Sequence, residues 1–305
     1  MSTEYIHFTA EQKEAARQTD LVSLLQSQGE RLKRSGKEYV WRDGSEKVTV
    51  RGNLWFHQYE RIGGDAVDFV RRFYNMDFPQ AVNFLLGNNG GALPQAEPVK
   101  REPPKPFTLP PKNDNMRRVY AYLLNRRGID REVLAAFVHK GMIYESADYH
   151  NAVFVGYDEH GIARHAHKRG TGSESTYKGN AESCDPRYSF HWTGTDSTLY
   201  LFEAPIDMLS FISLHKENWR SHSYAAACCV GDQVLLQMLK ANPNIDTVYL
   251  CMDNDDAGQA ANKRISDKLF IQGIKHEVLV PSLKDWNEDL LYDEQEETEC
   301  QTLQL

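Results

Sequence analysis

From residue 198 to residue 281, short strand-like runs alternate with longer helix-like ones, and no other feature limits the fold of this chain so tightly. TLYLFEA (198–204), SYAAACCVG (223–231), DTVYLCMDND (246–255) and KHEVLVP (275–281) are strand-like. Between them, 205–217, 233–242 and 257–273 carry apolar residues at helical spacing. A βαβαβαβ order predicts a parallel sheet with right-handed crossovers, because a strand returning parallel must cross a face that its helix then covers.

Upstream the texture differs. Thr9 and Gln12 fit a capping box at a helix start, and Asp20 can cap a second helix that Gly29 closes. Strand-like runs follow at 37–42, 47–51 and 53–57, then a turn at Gly63-Gly64. Residues 65–74 are apolar at 66, 67, 69, 70 and 73, a helical spacing, and Pro79 opens another helix that ends at Gly87. Residues 1–87 therefore read as a small α+β module. Seven of the 12 prolines lie between 94 and 111, so 88–113 cannot bury a core and reads as a semi-rigid linker. Beyond it, helices are expected over 114–126 and 130–139 and strands over 142–144, 152–157 and 162–167, with 168–190 as loop. The expected division is 1–87, 88–113, 114–196, 197–291 and an acidic tail, 292–305.

Composition removes several classes. No run of about 18 apolar residues exists to cross a membrane, and the N-terminus lacks the basic-then-apolar layout of a signal peptide. The five cysteines all lie at or beyond 184 and form no CxxC pair, which argues against a disulfide scaffold and a cysteine-rich zinc site. A cytoplasmic protein is expected. The net charge of −8 is uneven: residues 1–200 hold 27 Lys and Arg against 25 Asp and Glu, whereas 201–305 hold 8 against 18. A basic groove beside an acidic, metal-binding centre suits that balance better than a protein that coats nucleic acid.

Acids mark the strand ends of the second half. Glu203 ends one strand, with Asp207 four residues on, and Asp253-Asn-Asp255-Asp256 ends another before Ala257-Gly258 opens a helix. In open α/β sheets ligands bind at this carboxyl edge. Carboxylates converging there repel one another unless a cation lies between them, and hard oxygen donors suit Mg2+ or Mn2+. Lys284-Asp285-Trp286-Asn287-Glu288, after the last strand, adds to the same edge. Metal-assisted phosphoryl or phosphodiester transfer is the chemistry expected. A single D-x-D would more simply be a turn former or helix cap; the joint pattern is more specific. Asp256 is expected to be an N-cap and Asp289 a surface residue.

His165, His167, Lys168, Arg169, Lys178 and Arg187 form a basic stretch interleaved with Tyr177, Tyr188, Phe190 and Trp192. Cations for phosphates beside aromatic faces for bases are what a single strand needs, although a solvated loop with a few core aromatics would read the same way.

Glu203-Ala-Pro-Ile-Asp207, Val230-Gly231, Asp253-Asn-Asp255-Asp-Ala-Gly258 and Lys284-Asp285-Trp-Asn-Glu288 together resemble the Toprim domain of DnaG-type primases, topoisomerases and certain nucleases. The resemblance implies catalytic and metal-binding roles for Glu203, Asp253 and Asp255, with Asp207 and Asp285 as supporting ligands. Tyr122-Leu-Leu-Asn-Arg-Arg-Gly128, Asp158-Glu-His-Gly161, Lys168-Arg169-Gly170 and Tyr177-Lys178-Gly-Asn180 are similar in order to the N-terminal half of the primase polymerase core. This implies that Arg169 and Lys178, then His165, His167 and Lys168, with Lys284, line a groove for nucleic acid and nucleotide. Residues 20–87 resemble the primase zinc-binding domain in outline but lack its ligands: no Cys precedes 184, and His57 is the only His between 8 and 138. One His cannot make a four-ligand zinc site, so no zinc is expected and an apolar core of Trp41, Trp55, Phe56, Phe69, Phe73 and Leu85 is expected instead.

The expected fold class is thus α/β: a Toprim domain preceded by a primase-core-like α+β segment and a small zinc-less zinc-finger-like α+β module. The pattern resembles primase-like Toprim proteins carried on mobile elements of Gram-positive bacteria. It implies primer synthesis on single-stranded DNA from nucleoside triphosphates with Mg2+ or Mn2+, a helicase or relaxase of the same element as partner, and no membrane. A Toprim nuclease cutting DNA or RNA, or a non-catalytic nucleic-acid-binding accessory, are the competing expectations. The cellular primases' helicase-binding domain has no counterpart in the pattern.

Overall fold

The computed structural model describes residues 8–43, 46–58, 60, 62–87, 105–228 and 231–293. The acidic run after Asp293 and most of the Pro-rich stretch lie outside them. The chain separates into two compact units, Met1–Pro103 and Pro104–Leu305. Among the described residues no helix is long and apolar enough to cross a membrane.

The first unit opens with α1 (Ala10–Arg17), closed by the Thr9–Gln12 capping box, and α2 (Leu21–Ser27), whose cap is Asp20. An antiparallel meander follows: β1 (Leu32–Ser35), β2 (Glu38–Asp43), β3 (Glu46–Arg51), β4 (Leu54–His57) and β5 (Gly63–Gly64). The helices α3 (Ala66–Phe73) and α4 (Phe78–Leu85) then start at capping boxes on Asp65 and Asp77. Trp41, Trp55, Phe69 and Phe73 meet edge to face or tilted at centroid distances of 4.7 to 6.1 Å. Both indoles reach acceptors: Trp41 Nε1 donates to Glu30 and Trp55 Nε1 to the Asp65 carbonyl. Such pairs add to the burial energy, so aromatic packing with satisfied polar ends holds this module together. His57 is buried against Phe73, its Nδ1 accepting from the Glu60 amide. Phe56, expected in the core, is 36% exposed, because strand alternation turns it away from Trp55 and His57.

In the second unit, residues 107–113, the end of the stretch expected to be a semi-rigid linker, form a strap. Phe107 and Leu109 pack on an apolar cluster, Tyr144 donates its hydroxyl to the Pro110 carbonyl, and the Asn113 amide donates to the Glu145 carbonyl. The short α5 (Arg117–Tyr120) runs into a π-helical turn over Ala121–Arg126, where the Arg127 amide donates to the Tyr122 carbonyl. After α6 (Arg131–His139), the antiparallel strands β6 (Ile143–Glu145), β7 (Ala152–Tyr157), β8 (Ala163–Arg169) and β9 (Lys178–Asn180) form one sheet in sequence order. The stretch 168–190, expected to be loop, thus includes the end of β8 and all of β9.

The remainder follows the expected alternation: β10 (His191–Trp192), β11 (Thr198–Phe202), α7 (Pro205–Leu214), β12 (Ser223–Ala226), α8 (Gln233–Ala241), β13 (Thr247–Cys251), α9 (Asp256–Ile271) and β14 (Lys275–Val278). The sheet order is β10-β12-β11-β13-β14; all neighbours are parallel except the edge pair β10 and β12. Its central strands are apolar on both faces. One face packs with Phe137, Phe190 and Trp219, the other with Leu235, Met238 and Leu269, as parallel sheets require.

Candidate active site

The parallel register levels the strand ends. Phe202 pairs with Cys251, so Glu203 and Asp253 leave adjacent strands at the same carboxyl edge. Pro205 opens α7 as its first residue and places Asp207 in the first turn, where it is 6% exposed. Asp255, not Asp256, caps α9: its Oδ1 accepts from the Gly258 amide at 2.8 Å, and Asp256 is already helical. The Lys284–Glu288 segment is brought to this edge by two bonds. The Asn254 amide donates to the Lys284 carbonyl at 2.8 Å, and Trp286 Nε1 donates to the Cys251 carbonyl at 3.0 Å. The Trp286 ring stands edge-on to Phe211 at 4.9 Å, which fixes Asp285 as the cap of the helical residues 286–293. Asp289, expected at the surface, braces the preceding turn by accepting from the Ser282 and Leu283 amides.

These elements enclose a cleft of about 250 Å³ lined by Glu203, Asp207, Asp253, Asp255 and Asp285 and by Arg127, Arg169, Lys178 and Lys284. Five carboxylates face four cations, yet among the described residues none of these acids forms an ion pair with any of these cations within 4 Å. An acid outside the cleft shows the contrast: Asp232, 3% exposed at its side chain, is neutralised by Lys268 at 2.9 Å.

Burial pushes the Asp253 carboxyl up to about 7, with Glu203, Asp285 and Asp255 adding repulsion and Lys178 opposing it. Burial also raises Glu203; Lys178 pulls it back, and Asp255 and Asp285 push it further up. Asp207 lies well above the usual carboxylate range, from burial first and then from Asp253, Asp285 and Glu203. Oxygen donors of this kind suit a hard divalent cation. Among the described residues no group of three or more His, Cys, Asp or Glu side chains is arranged to hold an ion as it stands. The fit of the donors to a cation rests on their chemistry and on Asp253 Oδ1, which is buried without a hydrogen-bond partner. An orphaned carboxylate oxygen among other acids is stabilised by either a proton or a cation.

The sequence-derived set divides here. His167, Arg169, Lys178 and Lys284 line the cleft with the acids; His165 and Lys168 do not. Alternation along β8 puts Lys168 on the opposite face from His167 and Arg169. His165 is fully buried inside the sheet. His167 is held neutral, its pKa lowered to about 4 mainly by burial, with Nδ1 2.7 Å from Asn180 Oδ1.

Arg127 and Asn287 are cleft residues that sequence reasoning missed. Arg127 stacks over the Tyr122 ring at 5.2 Å and donates to its hydroxyl at 3.0 Å; Arg169 Nε reaches the same hydroxyl at 3.4 Å. The π-helical turn supplies the extra residue that sets Arg127 beside Tyr122, and such turns recur at functional sites. Asn287 donates to the Arg127 carbonyl (2.7 Å) and Ser210 Oγ (3.0 Å) and accepts from Arg127 Nη1 (2.9 Å). Replacing Asn287 with alanine should cost about 2–3 kcal/mol, since it strands buried partners. A urea midpoint unchanged by Asn287→Ala would contradict this.

Family models match two stretches of the second unit. Residues 121–196 match a protein family of unknown function, DUF3991, and residues 200–290 match the Toprim-like family. An uncharacterized protein of Bacillus anthracis, pXO2-78, is 25% identical over 274 residues, covering 85% of this chain and 79% of the other. Among solved structures, the zinc-binding and RNA polymerase domains of Aquifex aeolicus primase align at 17% identity and TM-score 0.39, over 96% of this chain and 84% of that one. The primase fragment of the bacteriophage T7 primase-helicase protein aligns at 20% identity and TM-score 0.46, over 67% and 84%.

Proposed function

We propose, from the Toprim-like domain at 200–290 and the cleft it builds, that this protein is a primase-like nucleotidyltransferase acting on single-stranded DNA. The observation that carries the reading is the cleft itself: five carboxylates and four cations share one pocket without pairing, and a buried carboxylate oxygen has no partner. Charges held apart in this way cost stability and are retained where a ligand completes them. A phosphate chain with its counter-ion is such a ligand, because it offers anions to the cations and a cation to the acids.

In this reading Glu203, Asp253 and Asp255 hold Mg2+ or Mn2+, with Asp207 and Asp285 as supporting ligands. The metal supplies charge neutralisation on the triphosphate. Arg169, Lys178 and Lys284 bind the phosphates of nucleotide and strand, and Arg127 joins them. The pair from Asn287 to Arg127 and the shared Tyr122 hydroxyl hold Arg127 and Arg169 in place before a ligand arrives, which lowers the ordering cost of binding. The 3′-hydroxyl of one nucleotide attacks the α-phosphorus of the next, forming a phosphodiester bond and releasing pyrophosphate. Glu203, whose affinity for a proton is raised by burial, receives the hydroxyl proton in this reading. The neutral His167 anchors Asn180 and leaves the pocket charge unchanged. The setting proposed is the cytoplasm, in replication or transfer of a mobile element, with a helicase or relaxase as partner.

The test is to incubate the full chain with labelled single-stranded DNA, four ribonucleoside triphosphates and Mg2+ or Mn2+, beside a Glu203→Gln control. Short RNA products that vanish in the variant are expected. Shortened input strands would mean a nuclease built on the same acids. DNA bound but unchanged by the parent protein would mean a binding module.

A further inference from the structure

The face of the β6–β9 sheet that carries Lys168, away from the acid cleft, holds a second cavity, of about 530 Å³. Arg118, Asp148, Tyr149, Lys168 and Tyr177 line it. Tyr149 is 88% exposed and Tyr177 45%. Tyr149 and the following His150 both have left-handed backbones, with φ of 60° and 52°, a costly conformation for residues with a Cβ. The loop is held in that state. His150 Nδ1 lies 2.7 Å from Glu145 Oε1, the Asn151 amide donates to Ser146 Oγ, and Thr171 Oγ1 donates to the His150 carbonyl at 2.7 Å. The facing loop is also fixed: Arg126 donates to the Gly172 and Ser173 carbonyls at 2.9 and 2.8 Å, and the Gly170 amide to the Tyr177 carbonyl. Two pinned walls therefore present two solvent-facing tyrosine rings. Lys168 Nζ lies 5.8 Å from the Tyr177 ring centroid, and among the described residues neither Arg118 nor Lys168 has a carboxylate partner.

We propose that this cavity is a binding site for one nucleotide unit, its base stacked on Tyr149 or Tyr177 and its phosphate held by Arg118 and Lys168. The site uses no residue of the acid cleft and goes beyond the activity proposed for it. Its size is that of a small-ligand pocket, and solvent-facing aromatic rings beside cations without carboxylate partners are the recognition chemistry of nucleotides. Asp148, on the same wall, accepts from the amino group of a base or a sugar hydroxyl. The unit can be a free nucleotide or one residue of a single strand.

The test uses the full chain in EDTA with two probes: a fluorescein-labelled oligothymidylate of about 10 nucleotides, and a fluorescent N-methylanthraniloyl ATP. For whichever probe binds, at least one of Tyr149→Ala and Tyr177→Ala is expected to weaken affinity about tenfold, the loss of one base stack, while phenylalanine at the same position keeps it. Lys168→Ala should reduce the salt dependence of strand binding by about 0.7 in the log–log slope. A 5-iodouracil strand should photocrosslink at Tyr149 or Tyr177. Binding of the strand alone identifies the strand as source, and binding of ATP alone identifies a free nucleotide; both outcomes support the site. Binding of neither probe, or binding indifferent to both tyrosine substitutions, overturns it. Tyrosine-dependent binding by the parent chain, when that same chain makes no primers with Mg2+ or Mn2+, would sink the reading of the acid cleft and leave this site standing.

Discussion

Metal-free Asp253→Asn protein is expected to be more stable than the parent at pH 8, by roughly 5 °C in thermal midpoint, while metal-dependent nucleotidyl transfer falls about a thousandfold. The two effects have one origin. The Asp253 carboxyl titrates near 7 in the folded chain, against an ordinary value of 3.8. Between those values the folded state holds a proton that the unfolded state has released. This group's contribution to stability is therefore fully present below about pH 4, declines as pH rises, and is lost above about 7. Asparagine removes that loss, so the gap between variant and parent opens with pH and closes towards pH 4. In the proposed site a divalent cation takes the place of the proton, so Mn2+ should raise the parent's midpoint more at pH 8 than at pH 5 and should do little for the variant. Thermal scans at pH 4, 6 and 8 with EDTA or Mn2+ measure this directly. A variant less stable than the parent at pH 8 would make Asp253 a structural carboxylate and remove the main support for the cation.

Gly258→Ala is expected to cost about 3 kcal/mol and to abolish metal-dependent activity, at the upper end of what overpacking does. A Cβ at Gly258 would stand 2.0 Å from the Asp253 carbonyl oxygen, 2.9 Å from its carbon and 3.1 Å from the Asp253 nitrogen. All three are backbone atoms of Asp253, so no side-chain rotation relieves the clash. Either α9 slides outward and breaks the bond from the Gly258 amide to Asp255, or the turn carrying Asp253 moves. Both separate Asp253 from Glu203. Gly172→Ala is the control, since a Cβ there meets nothing nearer than a Ser175 carbon at 3.7 Å. Equal urea midpoints for the two variants would show that the turn is more pliable than its packing implies.

Both predictions concern the DxDxAG segment, where local sequence and tertiary packing divide the work. The residue types there specify a strand end, a turn and a helix start. The sequence favours Asp256 as the cap and the structure uses Asp255, because the two are equally good caps by type. The packing of α9 against the Asp253 backbone, with Gly258 as the point of closest approach, settles it in favour of Asp255.

The sequence by itself determined the α/β alternation from 198 to 281 and the helix starts at Thr9, Asp20 and Asp130, as well as the acids at the ends of β11 and β13. These follow from apolar period and from short-range hydrogen bonds, which act within a few residues and leave a trace in residue order. Only the tertiary structure decided which of those pieces meet. The order β12-β11-β13 sets Glu203 beside Asp253 although α7, β12 and α8 separate them in the chain. The π-helical turn carries Arg127 to Asn287, and the strap at 107–113 closes over Tyr144. The pleat of β8 parts Lys168 from Arg169, adjacent in sequence, and sends them to different cavities. Such pairings depend on long-range closure and on which face of a strand is covered, and a composition-based reading of 168–190 as loop had no period from which to learn the face.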